Sequence, residues 1–428
     1  MNSNIVEKQY PITFRHEDAA KLGMLLKNRR SVVLVGMKRV GISNFLRFFL
    51  NHKEISQTYI QEPGHLFIQV DLNDLVERDI FPFWILTFKR LADYVDKNIG
   101  NQKIKKRVNQ LFLDSIQSQD LFLTIDGIRE SLVLLSENGY TPTIFFIRFD
   151  RIIEYATSSF FGNFEGLIDA TQHKLSFVFT SVRPLDTLSS EVFTKHALSV
   201  FADTMYIEPA KSKDVEMLFS STAKKYNITI SDELKKRLLS LVDGYNQYLQ
   251  FALIKMHEEK NITVKNLEDI LLSDERISLQ SEELWESLAA EEKAVLEKII
   301  GREKLTEEDR KNGEYLFKTG LITENGKFFS VLFEAFLEEK KNLKKKESHV
   351  LELSKKEHIL LQVLRSKKND VCEREEIIER VWQEAESIGV SDWAIDRLVA
   401  RLRSKLKSQG AREEIITVKT RGYKLIGE

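Results

Sequence analysis

A single cysteine, Cys372, in 428 residues leaves no partner for an intrachain disulfide and no thiolate set for a metal cluster. That usage fits a reducing compartment. Charge of one sign is also missing: 64 Lys and Arg stand against 65 Asp and Glu. Bulk electrostatics therefore points neither to nucleic acid nor to a membrane, and any such signal has to be local. No apolar run reaches the ~18 residues that a bilayer-crossing helix needs. The opening MNSNIVEKQYPITF lacks the basic-then-apolar pattern and small-residue cleavage site of a secretory leader. These absences predict a soluble, cytoplasmic protein with no membrane partner. His16, His65, His173, His196, His257, His349 and His358 show no metal-ligand spacing, and no nucleophile–base pair stands out. No metal site and no catalytic residue is predicted.

The length suggests two to four domains. Residues 1–210 alternate amphipathic stretches with short, nearly continuous apolar runs: SVVLVG (31–36), HLFIQVDL (65–72), PTIFFIRF (142–149), LSFVFTSV (175–182) and TMYIEP (204–209). Such runs suit a parallel sheet buried on both faces, and FWILTFKRLADYV (83–95) has helical apolar spacing. The prediction is a three-layer α/β domain. Residues 211–283 read as all-helical and highly charged. Residues 284–340 read as two helices, a hairpin at the NG of TENGKFF, and a closing helix: a small winged-helix-like unit. Residues 341–350 read as a basic, solvated connector, and 351–428 as a separate module.

In that last module Ser354 and Glu357 have capping-box spacing ahead of the helix SKKEHILLQVLRS. A second helix follows in REEIIERVWQ. The third, SDWAIDRLVARLRSKLKS, carries Ile395, Leu398, Val399, Leu402 and Leu406 on one face. Trp393, Arg397, Arg401 and Ser404 lie on the other. EIITVKTRGYKLI reads as a β-hairpin. Nine basic residues against two acidic ones lie between Arg397 and Lys424, about +7 within a neutral chain. A basic helix with a basic wing suits a duplex, the helix in the major groove and the wing on phosphate or minor groove. These motifs resemble the OmpR/PhoB-type winged-helix domain of response regulators over Leu353 to Ile426. The resemblance implies double-stranded DNA as partner, with Arg397 and Arg401 facing bases, and Trp393 and Arg403 on the phosphate backbone. Lys405 flanks that face of the helix, and Lys419, Arg421 and Lys424 form the wing. Trp393 departs from the basic residue common there, and no receiver domain is evident.

GMKRVGISN (36–44) has the spacing of a phosphate-binding loop, from Gly36 to Gly41, with Ile42 in the lysine position and Ser43 after it. The stretch FRHEDAAKLGMLLKNRRSVVLVGMKRVGISNFLRFF resembles the opening of STAND-type AAA+ ATPases. SFVFTSVRPL resembles their sensor strand, with Thr180 and Arg183. GYNQYLQ (244–250) is similar to the lid element, with Gln247 in the proline position. GLITENGKFFSVLFEAFL resembles the winged element after the lid. In FIRFDRI, one alignment puts Ile147 and Arg148 where the Walker B Asp and Glu belong; another makes Asp150 the Mg²⁺ carboxylate. Loss of the lysine and of the acidic pair predicts a site with very slow or no hydrolysis. Lys38 and Arg39 inside the loop, with the backbone N–H groups from Met37 to Ser43, leave nucleotide binding open.

The resemblances together imply a multidomain α/β plus α protein: an AAA+/STAND-like P-loop domain (1–210), a helical lid (211–283), a winged-helix-like domain (284–340), the linker (341–350) and the DNA-binding winged helix (351–428). The expected function is a sequence-specific transcriptional regulator whose ATPase-like module senses a partner or self-associates, with no required cofactor. Two alternatives stay open: an active ATP-dependent switch, and a replication-initiator-like protein.

Overall fold

The computed structural model describes residues 6–189, 192, 202–259, 261–346, 353–382, 392–408, 413–418 and 421–427. The chain divides into two units, Met1–Ala210 with Lys318–Gly320, and Lys211–Phe317 with Leu321–Glu428.

The first unit is built on a parallel sheet in the order β2-β3-β4-β1-β5. Its strands are β1 (Val32–Val35), β2 (His65–Asp71), β3 (Thr141–Ile147), β4 (Ser176–Ser181) and β5 (Asp203–Tyr206). All five predicted apolar runs are strands, and β3 and β4 are buried at every position, as continuous apolar strands between helical layers must be. Much of the abundant phenylalanine is used here. Phe146 of β3 stacks on Phe179 of β4 with centroids 5.6 Å apart. Phe164, from the helix Ser158–Ala170, meets Phe177 edge-on at 4.9 Å. Between β2 and β3 run three helices, Ile80–Asn98, Gln102–Ser118 and Leu121–Glu137; only the first was marked by clear apolar spacing. Strand order reverses around β1 and β4, so the carboxyl ends of β1, β4 and β3 share the crevice where open α/β sheets bind ligands.

The second unit begins with the helices Ser212–Lys225, Asp232–Val242, Asn246–Glu258 and Leu267–Leu272, then an acidic helix, Glu275–Glu286. One face of the acidic helix is locked inward: Tyr248 Oη and Ser281 Oγ are 2.6 Å apart, and Gln280 donates to Tyr245 Oη at 3.2 Å. The segment after it has three short helices, Ala290–Ile300, Glu307–Asn312 and Glu314–Lys318. The hairpin expected at the NG turn reduces to one antiparallel bridge, Ile322 to Phe328. Phe329 packs 5.0 Å from Tyr245, and Ser330 Oγ donates to the Leu241 carbonyl at 2.7 Å. The closing helix runs Val331–Lys346, so 341–346, expected as a basic, solvated connector, continue a helix. The good helix formers Lys and Leu, five of these six residues, allow that continuation. The rest of that connector, 347–350, lies outside the described residues.

The C-terminal module has helices Lys355–Ser366, Arg374–Val381 and Asp392–Ser408, the last being the basic third helix, here termed the recognition helix. Ser354 and Glu357 make the reciprocal capping box. Strands β7 (Glu414–Val418) and β8 (Gly422–Ile426) form the expected antiparallel hairpin. A third strand, β6 (Val371–Glu373), pairs with β8. At three residues it is too short for periodicity to reveal. Leu360, Leu364, Trp382, Ile395, Leu398 and Leu402 form its buried core.

Candidate functional site

The recognition helix splits as its periodicity dictates. Ile395, Leu398, Val399, Leu402 and Leu406 are buried, leaving the arginines on other faces. Their surroundings correct one expectation, since nine basic residues against two acidic ones between Arg397 and Lys424 predict arginines with almost no acidic partners. Arg397 Nη2 pairs with Glu282 and lies 3.5 Å from Glu286. Arg401 approaches Glu275 and Glu282, each at 3.9 Å. All three acids sit on the acidic helix. Burial works against the Arg397 charge, but the hydrogen bond to Glu282 outweighs it and holds its pKa raised.

The other predicted contacts divide. Arg403 Nε donates to the Ile415 carbonyl at 2.6 Å, Nη2 donates to Thr417 Oγ1 at 2.9 Å, and its guanidinium lies over the Tyr423 ring. It thus ties the recognition helix to the wing. Lys405 Nζ donates to the buried Glu357 at 2.6 Å, coupling the capping box to the recognition helix. Burial tends to raise the Glu357 pKa, but Lys405 and the Ser354 N–H hold it below the usual range. Arg421, at the wing tip, is 60 % exposed and 3.2 Å from Glu373. Lys424 is half-buried on β8. Trp393 falls in the first turn of the helix, but its side chain lies outside the described part, as does all of Lys419. Sequence spacing did not mark a polar knot behind the wing: Tyr423 Oη donates to Asp396, which also pairs with Arg374.

In the first unit, β1 runs into the loop 36–41 and the helix Ile42–Asn51. Arg39 (φ 63°) and Gly41 (φ 115°) take positive φ. At Gly41 that geometry costs little only without a Cβ. Gly36 is hemmed in: a Cβ there would lie 2.9 Å from the Ile207 carbonyl and from Val40 Cγ1, and 3.2 Å from Ile42 Cδ1. Ile42, standing in the lysine position, therefore turns its side chain back over the start of the loop. Val40 and Met37 are buried, Lys38 is half-buried, and Arg39 and Ser43 are exposed.

The fold brings 36–43, 148–150 and 180–183 to neighbouring strand ends. β3 stops at Ile147, so Arg148 does not interrupt the strand, as one alignment implied. It follows the strand with φ 61°, its N–H donating to Thr180 Oγ1 at 2.7 Å and its guanidinium paired with Asp71 at the end of β2. Burial raises the Asp150 pKa, against the pull of Arg151, Lys38 and Arg148. The Arg183 N–H donates to Ser181 Oγ at 3.2 Å. Gln247 is buried in the helix Asn246–Glu258. Among the described residues, no group of three or more His, Cys, Asp or Glu is placed to hold a metal. None of the described helices is long and apolar enough to cross a membrane.

Two architectures are thus joined in one chain, a P-loop α/β core and a winged helix with a basic recognition helix. Residues 346–425 match the family described as "Transcriptional regulatory protein, C terminal", and this C-terminal domain is of the OmpR/PhoB type. The response regulator ArlR of Staphylococcus epidermidis is 37% identical over 75 residues, 18% of this chain and 33% of the relative. The chain therefore spans about a third of the length of the curated relatives it matches. Among solved structures, the ORC2 protein of Aeropyrum pernix, determined in ADPNP-ADP complexes, superposes with TM-score 0.50 at 10% identity, covering 81% of this chain and 98% of that one. The Walker-type ATPase PABY2304 of Pyrococcus abyssi gives TM-score 0.48 at 18% identity over 76% and 96%. The likeness to ORC2 is one of fold, and the fold is AAA+-like.

Proposed function

We propose that this protein is a sequence-specific, DNA-binding transcriptional regulator in which the OmpR/PhoB-type module reads double-stranded DNA. The AAA+-like module senses a partner or mediates assembly without nucleotide turnover. The observation that carries the DNA reading is the recognition helix, with Arg397 and Arg401 off its apolar face and Arg421 and Lys424 on the adjoining wing. Arg403 and Lys405 are assigned to holding the module together, because each is engaged inside it. Mapping bound DNA across a genome tests the reading: many promoter-proximal sites support it, and one origin-like cluster favours an initiator instead. In vitro, Arg401→Ala should cost ~1–3 kcal/mol at a preferred duplex and relax selectivity at one base position. Arg421→Ala or Lys424→Ala should weaken all duplexes evenly and flatten the salt dependence. Equal losses on every sequence for Arg401→Ala would remove it from base recognition.

The loop residues fit a magnesium nucleotide poorly. Ile42, in the position of the expected lysine, is apolar and lies against Gly36. Arg148 is committed to Asp71. An ATP-dependent switch draws support from one feature, the closeness of Lys38 to Asp150. Thermal melts separate the two. The wild-type melting temperature is expected not to move with Mg-ATP. Ile42→Lys should lower stability by ~1 kcal/mol, because it exchanges packing for a charge against the loop backbone. An ATP-dependent rise in the wild type would establish nucleotide binding, since a ligand stabilises only a state that binds it.

A further inference from the structure

The acidic helix carries Glu275, Leu279, Glu282 and Glu286 at spacings of four, three and four, which place them on one face. That face is turned to the recognition helix. Arg397 meets Glu282 and Glu286, while Arg401 meets Glu275 and Glu282, so the two helices run antiparallel. Between the acids, Leu279 is 2% exposed and joins the hydrophobic core of the winged helix itself, with Leu360, Trp382 and Leu398. At the edge, Lys356 lies 3.7 Å from Glu275. The opposite face of the acidic helix is fastened to its own neighbours through Tyr245 and Tyr248, so it is presented as a fixed surface.

We infer that the acidic helix is an intramolecular cover for the DNA-reading face, and that a duplex and this helix compete for Arg397 and Arg401. The inference rests on the DNA-binding reading above. Major-groove readout requires the recognition helix to be inserted into the groove, and a helix packed across its arginines occupies that space. The carboxylates supply hydrogen-bond acceptors in place of the phosphates and base edges of a complex, so the arginines lose little by the exchange. The cover is also built to come off. Among the described residues, Arg401 Nε and Nη2 and Arg397 Nε are out of solvent without a hydrogen-bond partner. Such under-satisfied donors gain when a duplex offers better acceptors.

The test compares the full chain with its Glu275→Gln/Glu282→Gln/Glu286→Gln variant, which keeps side-chain length and helix propensity. A control, Glu233→Gln/Glu307→Gln/Glu308→Gln, makes the same change in net charge at exposed positions. Fluorescence anisotropy with one random duplex pool at low salt is expected to show at least ~tenfold tighter binding for the first variant than for the control. Binding no tighter than the control overturns the cover while leaving DNA binding intact. If neither variant nor wild type binds any duplex, the DNA reading itself fails, and the competition with it. Hydrogen exchange on the unaltered chain gives an independent answer that does not depend on how the variants fold. Saturating duplex should speed exchange of the amides of residues 277–286, and unchanged or slower exchange there overturns the inference.

Discussion

Replacing Arg276 with alanine should destabilise the second unit by ~3–5 kcal/mol, the range for a buried ion pair left with one partner. Its side chain is 3% exposed. Two N–H groups donate to Glu258 at 2.9 Å each, and two to Asp274 at 3.0 and 2.6 Å. Burial works against the guanidinium charge, but these hydrogen bonds hold its pKa raised. Asp274, with a side chain 4% exposed, also accepts the Arg276 N–H at 2.9 Å and so caps the acidic helix. Without the guanidinium, Asp274 becomes a buried carboxylate with no cation. Arg276→Lys should recover only part of the loss, because an ammonium does not reproduce the two-sided fork. Adding Asp274→Asn to Arg276→Met should be milder than Arg276→Ala, since it removes the stranded charge and keeps a capping acceptor. Amide exchange in 246–258 and 275–286 reads the effect directly. Protection should fall by about two orders of magnitude or more, and a drop under about tenfold would mean that water already screens the trio. Because this trio seats the acidic helix, the same substitution should loosen the cover over the recognition helix.

Gly422→Ala should open the winged helix from its sheet. A Cβ at Gly422 would fall 2.0 Å from the Cys372 carbonyl oxygen and 3.0 Å from the carbonyl carbon and Glu373 Cα. All three are backbone atoms, so no side-chain rotation relieves the clash. Gly422 pairs with Glu373 and its neighbour Tyr423 pairs with Cys372, so relief requires β8 to part from β6. The expected cost is ~3 kcal/mol, at the upper end for overpacking. Cys372 makes the outcome easy to read, because it is the only cysteine in the chain and is fully buried. Burial and the nearby Glu376 push its thiol pKa up to about 11. In the unaltered protein it should react very slowly with a thiol reagent. In the variant the reaction should be about 100-fold faster, and an unchanged rate would show that the strands accommodate the methyl group.

What could be read along the chain is what short-range chemistry specifies. Five apolar runs bounded by polar or glycine residues made five parallel strands, three of them buried at every position. Ser354 and Glu357, three residues apart, made a capping box, because both hydrogen bonds close within one turn. The split between Leu398 or Leu402 and Arg397 or Arg401 followed from helical period alone. The position of Arg148 did not, since it depended on where β3 stops pairing with β4, and Ile42 took its place only once the loop closed over Gly36. The pairing of Arg397 with Glu282 spans 115 residues. No local period links them, and in the sequence Glu282 is one more acid on a charged helix. Charge, period and capping residues determined that this chain carries a basic recognition helix. Only the packing of two helices distant in sequence decided that an acidic face covers it, because long-range contacts depend on how whole elements pack and not on the spacing of neighbours.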